Sequence, residues 1–166
     1  MKNPKAMFVS NILPKKKGRR IMIKNLFVFG SSKDVKIPLD MLQFIETWIA
    51  DGKAIIIGDA PGVDTKIQDF LYRLGAKNVT VYTAHSYPRY IVKDSNWNIM
   101  YVNSSNFPEN SIKFLSTKDD AMCKDADCGI CCILENGSRA SRANIERLKS
   151  EGKHVICFIC KEEQNK

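Results

Sequence analysis

Several things are scarce or missing in this sequence, and each absence narrows what the chain can be. No apolar run reaches the ~20 residues that a membrane-crossing helix needs, and the first twenty positions lack the apolar stretch of a signal peptide. A cytoplasmic protein without a membrane span is therefore expected. Histidine occurs only as His85 and His154, and neither falls in a Ser-His-Asp order or at a metal-ligand spacing. There is no internal repeat and no low-complexity segment, so solenoids and fibrous architectures are set aside. Acidic residues are absent from residues 1–24, which carry Lys2, Lys5, Lys15, Lys16, Lys17, Arg19, Arg20 and Lys24. The rest of the chain holds 18 basic and 18 acidic residues, so the whole net charge of +8 belongs to this amino-terminal extension. A run of this kind is either a solvated arm or a contact for phosphate-bearing polymers, and the sequence leaves both open.

What is present reads as one domain over residues 21–166, preceded by the basic extension at 1–20. Residues 21–29, IMIKNLFVF, are apolar and rich in β-formers, and Gly30, Ser31 and Ser32 then break the run, as for a buried strand ending in a loop. Met41, Phe44, Ile45, Trp48 and Ile49 recur at helical spacing until Asp51 and Gly52. Ala54 to Ile57 is a second short strand. After the turn-forming residues 58–63, Ile67, Phe70, Leu71 and Leu74 mark a helix capped by Asp64 and closed by Gly75. Val79 to Tyr82 is a third strand, and residues 84–117 show little periodicity and read as a long loop. A short helix from Lys118, a strand at 129–134, a helix from Ser141 and a strand at 154–160 complete the order. This alternation predicts a Rossmann-like three-layer α/β fold, with a mostly parallel sheet of about five strands and helices on both faces.

That topology carries a functional expectation, because ligands of such sheets bind beyond the carboxyl ends of the strands. Three small-residue loops each follow a strand and precede a helix: Gly30-Ser31-Ser32, Gly58 to Asp64, and Asn136 to Ser141. The last offers Gly137, Ser138, Arg139 and Ser141 at a helix start, where free amides and the helix dipole favour a phosphate. Ser138 and Ser141 are equally plain helix caps. In the second loop, Gly58 and Gly62 allow close backbone approach. Asp59 and Asp64 are candidates for ribose hydroxyls, although a turn role for Asp59 and a cap role for Asp64 fit as well. Trp97 reads either as a base-stacking residue or as an anchor of the long loop.

Cys128-x-x-Cys131 and Cys157-x-x-Cys160 mimic a four-cysteine zinc signature. On strands, however, residues three apart face opposite ways, whereas a zinc knuckle needs a tight turn. We read all six cysteines as reduced thiols of the core, with no metal.

The blocks GSSKDVKIPLD, IIIGDAPGVDTKIQDFL, NVTVY, SNWN, STKDDAMCKDADCGI and NGSRASRANIERLKSEGKHV resemble, in this order, those of the SLOG superfamily of Rossmann-like nucleotide-binding proteins, over residues 26–160. The similarity is greatest to its bacterial YpsA-related branch of small proteins. The resemblance implies a nucleotide ligand held by Gly30 to Ser32, by Gly58, Ala60, Gly62 and Asp64, and by Gly137 to Ser141, and it makes a homo-oligomer an expectation. Distant kin, the Lonely guy phosphoribohydrolases, carry Pro-Gly-Gly-x-Gly-Thr-x-x-Glu in the last of these turns. Here Ala140, Ser141 and Asn144 stand at the final glycine, the threonine and the glutamate. Asn144 cannot act as a general base. Three functions follow in order: a binding or sensing module for a nucleotide or nucleotide-derived small molecule; a nucleotide N-glycosidase using another acid, Asp119 or Asp127; and a nucleic-acid-binding module using the basic arm.

Overall fold

The computed structural model describes residues 22–164. The basic extension at 1–20 and its reading as an arm lie outside the described residues. Ten elements follow one another: β1 (Asn25–Gly30), α1 (Leu39–Ala50), β2 (Ala54–Ile57), α2 (Val63–Arg73), β3 (Val79–Thr83), β4 (Asn98–Tyr101), α3 (Ile112–Asp125), β5 (Cys128–Leu134), α4 (Arg139–Ser150) and β6 (His154–Cys160). The six strands form one sheet in the order β4-β3-β2-β1-β5-β6, and every neighbouring pair is parallel. The chain is a Rossmann-like α/β domain.

The strands are apolar on both faces because both faces are covered. In β1, Leu26 and Val28 enter one core with Met41, Ile45 and Trp48 of α1 and Val63, Ile67 and Leu71 of α2. Phe27 and Phe29 enter the other, with Met122 and Cys123 of α3 and Ile145 and Leu148 of α4. Three layers result. The winding proceeds from β1 through β2 to β4 under one helical layer, then returns to β5 on the other side of β1 and ends at β6. The strand order therefore reverses between β1 and β5, the place where sheets of this type open a crevice.

Two expectations for residues 84–117 are corrected. The stretch contains a sixth strand, β4, and the first turns of α3. Strand β4 is only four residues long and lies at the sheet edge with little burial, and its apolar run from Ile99 to Tyr101 is too short to stand out within the loop. Helix α3 starts at Ile112, six residues ahead of the expected Lys118, because the Ser111 hydroxyl accepts from Phe114 N at 3.1 Å and caps it. Trp97 is an anchor: it is buried, and its indole N–H donates to Ala76 O at 2.7 Å.

The cysteines split between the faces. Cys128, Cys132 and Cys160 belong to the first core, and Cys131 and Cys157 to the second. The reading of all six as reduced thiols is corrected by a disulfide between Cys132 and Cys160, whose Cα atoms are 6.1 Å apart. The strand register explains the pairing. Cys132 lies opposite Phe158, so Cys160 is its diagonal neighbour on the same face.

Candidate functional site

The first two loops interlock through their glycines. A Cβ on Gly30 would lie 2.3 Å from Cys132 O and 2.7 Å from Val63 Cγ2, so only hydrogen fits where β1 ends. Gly62 has φ +84°, and a Cβ there would meet Ser31 O at 2.4 Å. This contact lets Ser31 O accept from Val63 N at 2.9 Å, while Ser31 N donates to Cys132 O at 3.0 Å. Ser31 is buried, and its hydroxyl accepts from Lys33 N at 3.0 Å. Ser31 thus ties β5, β1 and α2 together, and Ser32 is the exposed residue of that loop.

Beneath the loops lies a buried ionic cluster. Asp59, at the end of β2, has no exposed surface. It accepts from Thr83 Oγ1 at 2.7 Å, from Arg89 N at 3.0 Å, and from Arg89 Nη2 and Nε at 2.8 and 3.3 Å. The Lys118 ammonium, arriving from α3, adds a contact at 3.4 Å. Burial alone would raise the pKa of Asp59, but the Arg89 hydrogen bonds, the charge of Lys118 and the Thr83 hydroxyl outweigh it and hold the carboxyl well below the usual carboxylate range. With both oxygens engaged, Asp59 organises Arg89 and Lys118 and is not free for a ribose.

Asp64 is not the cap of α2. Gly62 occupies that position without a side-chain bond, and Asp64 lies in the first turn, where its Oδ2 reaches back to accept from Ala60 N at 3.1 Å. Gly58 makes this possible, since a Cβ there would lie 2.6 Å from Asp64 Oδ2 and 2.9 Å from Lys118 Nζ. Burial pushes the Asp64 carboxyl up to about 6, against the pull of Lys118 and the Ala60 amide. Asp119, whose nearest carboxylate oxygen is 3.8 Å from Lys118 Nζ, is likewise raised by burial. Two protonatable carboxyls thus flank one lysine.

The third loop is held by its own backbone. Ser138 adopts the left-handed conformation, φ 55° and ψ 44°, and its hydroxyl accepts from Leu134 N at 3.1 Å. The Arg142 guanidinium donates to Leu134 O, Glu135 O and Gly137 O at 2.7 to 2.8 Å. Helix α4 begins at Arg139, two residues before the expected Ser141, and no side chain caps it. Ser141 is buried inside the first turn, while Gly137 and Arg139 are exposed. First-turn amides have no intrahelical acceptor, which leaves those of Arg139 and Ala140 at an exposed loop end. Asn144 is buried and accepts from Arg147 Nη1 at 2.8 Å.

The sheet thus gathers the three loops at the carboxyl ends of the neighbouring strands β2, β1 and β5. Asp127 does not join them. It sits at the amino edge and accepts from Lys24 N and Asn25 N, both at 2.8 Å. His154 opens β6 at that edge too, whereas His85 follows β3, with Nε2 2.8 Å from Asn110 Oδ1 and Nδ1 3.9 Å from Asp59 Oδ2.

The residues not anticipated are Thr83, Arg89 and Lys118 as members of the cluster. Lys118 had a signal, being four residues from both Phe114 and Met122 on the inward face of α3. Arg89 had none, since it belongs to the aperiodic β3–β4 crossover. That crossover also lines a cleft of about 530 Å³ containing Arg89, Tyr90, Lys93 and Trp97, which meets the cluster through Arg89.

Neither a comparison with protein-family profiles nor one with curated proteins finds a match to this chain. Fold and edge together define a doubly wound α/β domain with a charged cluster beneath its switch-point loops.

Proposed function

We propose that this chain binds a nucleotide or nucleotide-derived small molecule at the carboxyl edge of its sheet. The observation that carries the reading is the convergence of three glycine-bearing loops, two of them also carrying serine, at the carboxyl ends of β2, β1 and β5, beside the strand-order reversal between β1 and β5. The ligand's phosphate lies against Ser32, Gly137 and the first-turn amides of α4, where backbone N–H groups and the helix dipole favour an anion. Asp59 and Asp64 act from below. Asp59 fixes Arg89, whose side chain is 31% exposed and so supplies a cation at the same edge. The resemblance of the sequence blocks to SLOG proteins points the same way.

A second reading, hydrolysis of an N-glycosidic bond, has one observation in its favour. The buried Asp64 and the half-buried Asp119 are carboxyls with raised pKa values beside Lys118, the setting in which a carboxyl serves as a proton donor.

Thermal melting against a panel of nucleoside mono- and diphosphates and dinucleotides tests the first reading. A ligand at ~100 times its dissociation constant adds roughly 2.7 kcal/mol, a rise of about 5 to 10 °C. Arg139→Glu, at an exposed position, should leave the unliganded melt in place and remove that rise. No shift with any member of the panel contradicts the reading. Release of free base, followed by chromatography, decides for the second.

A further inference from the structure

The cleft of about 530 Å³ along the β3–β4 crossover meets the proposed site only at Arg89, and its walls are fixed in advance. At one end Asp59 holds Arg89 by its backbone amide and its guanidinium. In the middle the fully buried Gln68 of α2 donates to Gly58 O at 2.9 Å and to Tyr90 O at 3.2 Å, and its Oε1 accepts from Val92 N at 3.3 Å. At the other end Trp97 is tied to Ala76 O. A crossover pinned at three places loses little further freedom when a small molecule enters, and the volume is that of a small-molecule site.

The lining offers positive charge and an aromatic face that nothing else in the fold uses. Arg89 spends Nε and Nη2 on Asp59, and its Nη1 has no acceptor among the described residues. Lys93 is exposed and makes no ion pair or side-chain hydrogen bond among the described residues. These two cations outnumber the single acid of the lining, Asp94. Tyr87 is 65% exposed, and its hydroxyl has no partner among the described residues. Two cations beside an open ring and apolar Ile91 and Val92 favour an occupant with a planar face and a negative charge.

We propose that this cleft binds an aromatic anion, a planar ring bearing a phosphate or carboxylate, with the ring against Tyr87 and the acidic group on Arg89 and Lys93. The Nη1 edge of Arg89 is a planar fork of N–H groups, which takes either acid through two parallel bonds. Lys93 adds a point charge. This acidic group is distinct from the phosphate assigned to α4. Arg89 is anchored at the end of β2, two strand spacings or roughly 10 Å from β5, and one phosphate held by bonds of about 3 Å does not reach both ends. The ring and its acid belong either to a separate small molecule or to the far end of an extended nucleotide. The chemistry in the cleft is the same, and it rests on the cleft's own residues, not on the nucleotide reading.

The test is amide NMR of the isotope-labelled intact protein titrated separately with phenyl phosphate, inorganic phosphate and phenol. Phenyl phosphate should shift the amides of Lys93, Ser95 and Asn96. It should bind at least about tenfold more tightly than inorganic phosphate or phenol, each of which lacks the stacking or the charge-assisted contact. Tyr87→Ala and Lys93→Glu, at exposed positions, should keep the parent's spectrum elsewhere, and each should weaken phenyl phosphate by about tenfold or more. Lys93→Arg should bind as the parent does. Titration in the presence of a nucleoside monophosphate or a dinucleotide then assigns the source: displacement makes the occupant part of a nucleotide, and no displacement makes it a separate molecule. The site is overturned by shifts confined to Ser32, Gly137 and Arg139, by an affinity no better than that of inorganic phosphate, or by unchanged affinity in either variant. None of these three results touches the nucleotide reading. Cleft shifts with phenyl phosphate, together with a nucleotide panel that moves none of the loop amides, sustain this site and defeat that reading.

Discussion

Replacing Asp64 with Asn should make the protein more stable at neutral pH. The folded carboxyl titrates at about 6, against 3.8 for an unhindered Asp. Between these values the folded state binds more protons than the unfolded state, so stability falls as pH rises through the interval. At about 1.4 kcal/mol per pK unit, the ionised, buried Asp64 costs on the order of 3 kcal/mol above pH 6. Asn has the same shape, can still accept from the Ala60 amide, and carries no charge to desolvate. It also deprives Lys118 of a nearby anion, which reduces the gain to about 1 to 3 kcal/mol, or roughly 2 to 10 °C in melting temperature. The assay is thermal unfolding of parent and variant at pH 7.5 and pH 4.5. The variant should melt higher at pH 7.5, and the gap should shrink at pH 4.5, where the parent's carboxyl is protonated. A variant that melts lower than the parent at pH 7.5, or a gap of constant size, would refute the burial argument.

Asp59→Asn should act oppositely, because it strands Arg89 and Lys118 beside a neutral group; a loss of about 3 to 5 kcal/mol is expected by urea unfolding at pH 7. That gap should narrow in acid, since a carboxyl held below its usual range stabilises above pH 3.8 and loses its contribution as pH falls toward the folded value. Gly62→Ala places a Cβ 2.4 Å from Ser31 O at φ +84° and should cost at least ~3 kcal/mol. Gly137→Ala, at φ +105° with no atom within 4 Å of its Cβ, should cost only about 1 kcal/mol, and the two melts side by side separate close approach from backbone strain.

The sheet was legible where strands are buried on both faces. LFVF, AIII and the two cysteine-rich strands are continuous apolar runs, and their alternation with helical periods fixes parallel pairing. Strand β4 was not legible, because an exposed four-residue edge strand is stabilised by its ladder to β3 and not by burial. The three loops were legible as glycine and other small or turn-forming residues between strand and helix, but the jobs inside them were not. Asp64, Ser138 and Ser141 were all open to a helix-cap role from residue type; the cap positions fall at Gly62 and Ser138, whose backbones adopt positive φ and which make no side-chain capping bond. Asp59 had been offered to a ribose, and its actual partners come from Thr83, Arg89 and Lys118, 24 to 59 residues away in sequence. The Cys132–Cys160 bridge likewise depends on the register of β5 against β6, which no local pattern reveals.

The central claim is the location of the ligand, and backbone amide NMR of isotope-labelled protein titrated with the nucleotide panel tests it most directly. The account predicts that any nucleotide that binds shifts the amides of Ser32, Gly137, Arg139 and Ala140 at the carboxyl edge, while those of Gly52, Asn78 and Asp127 at the amino edge stay in place. Shifts confined to the amino edge, or a spectrum unmoved by every member of the panel, would contradict it.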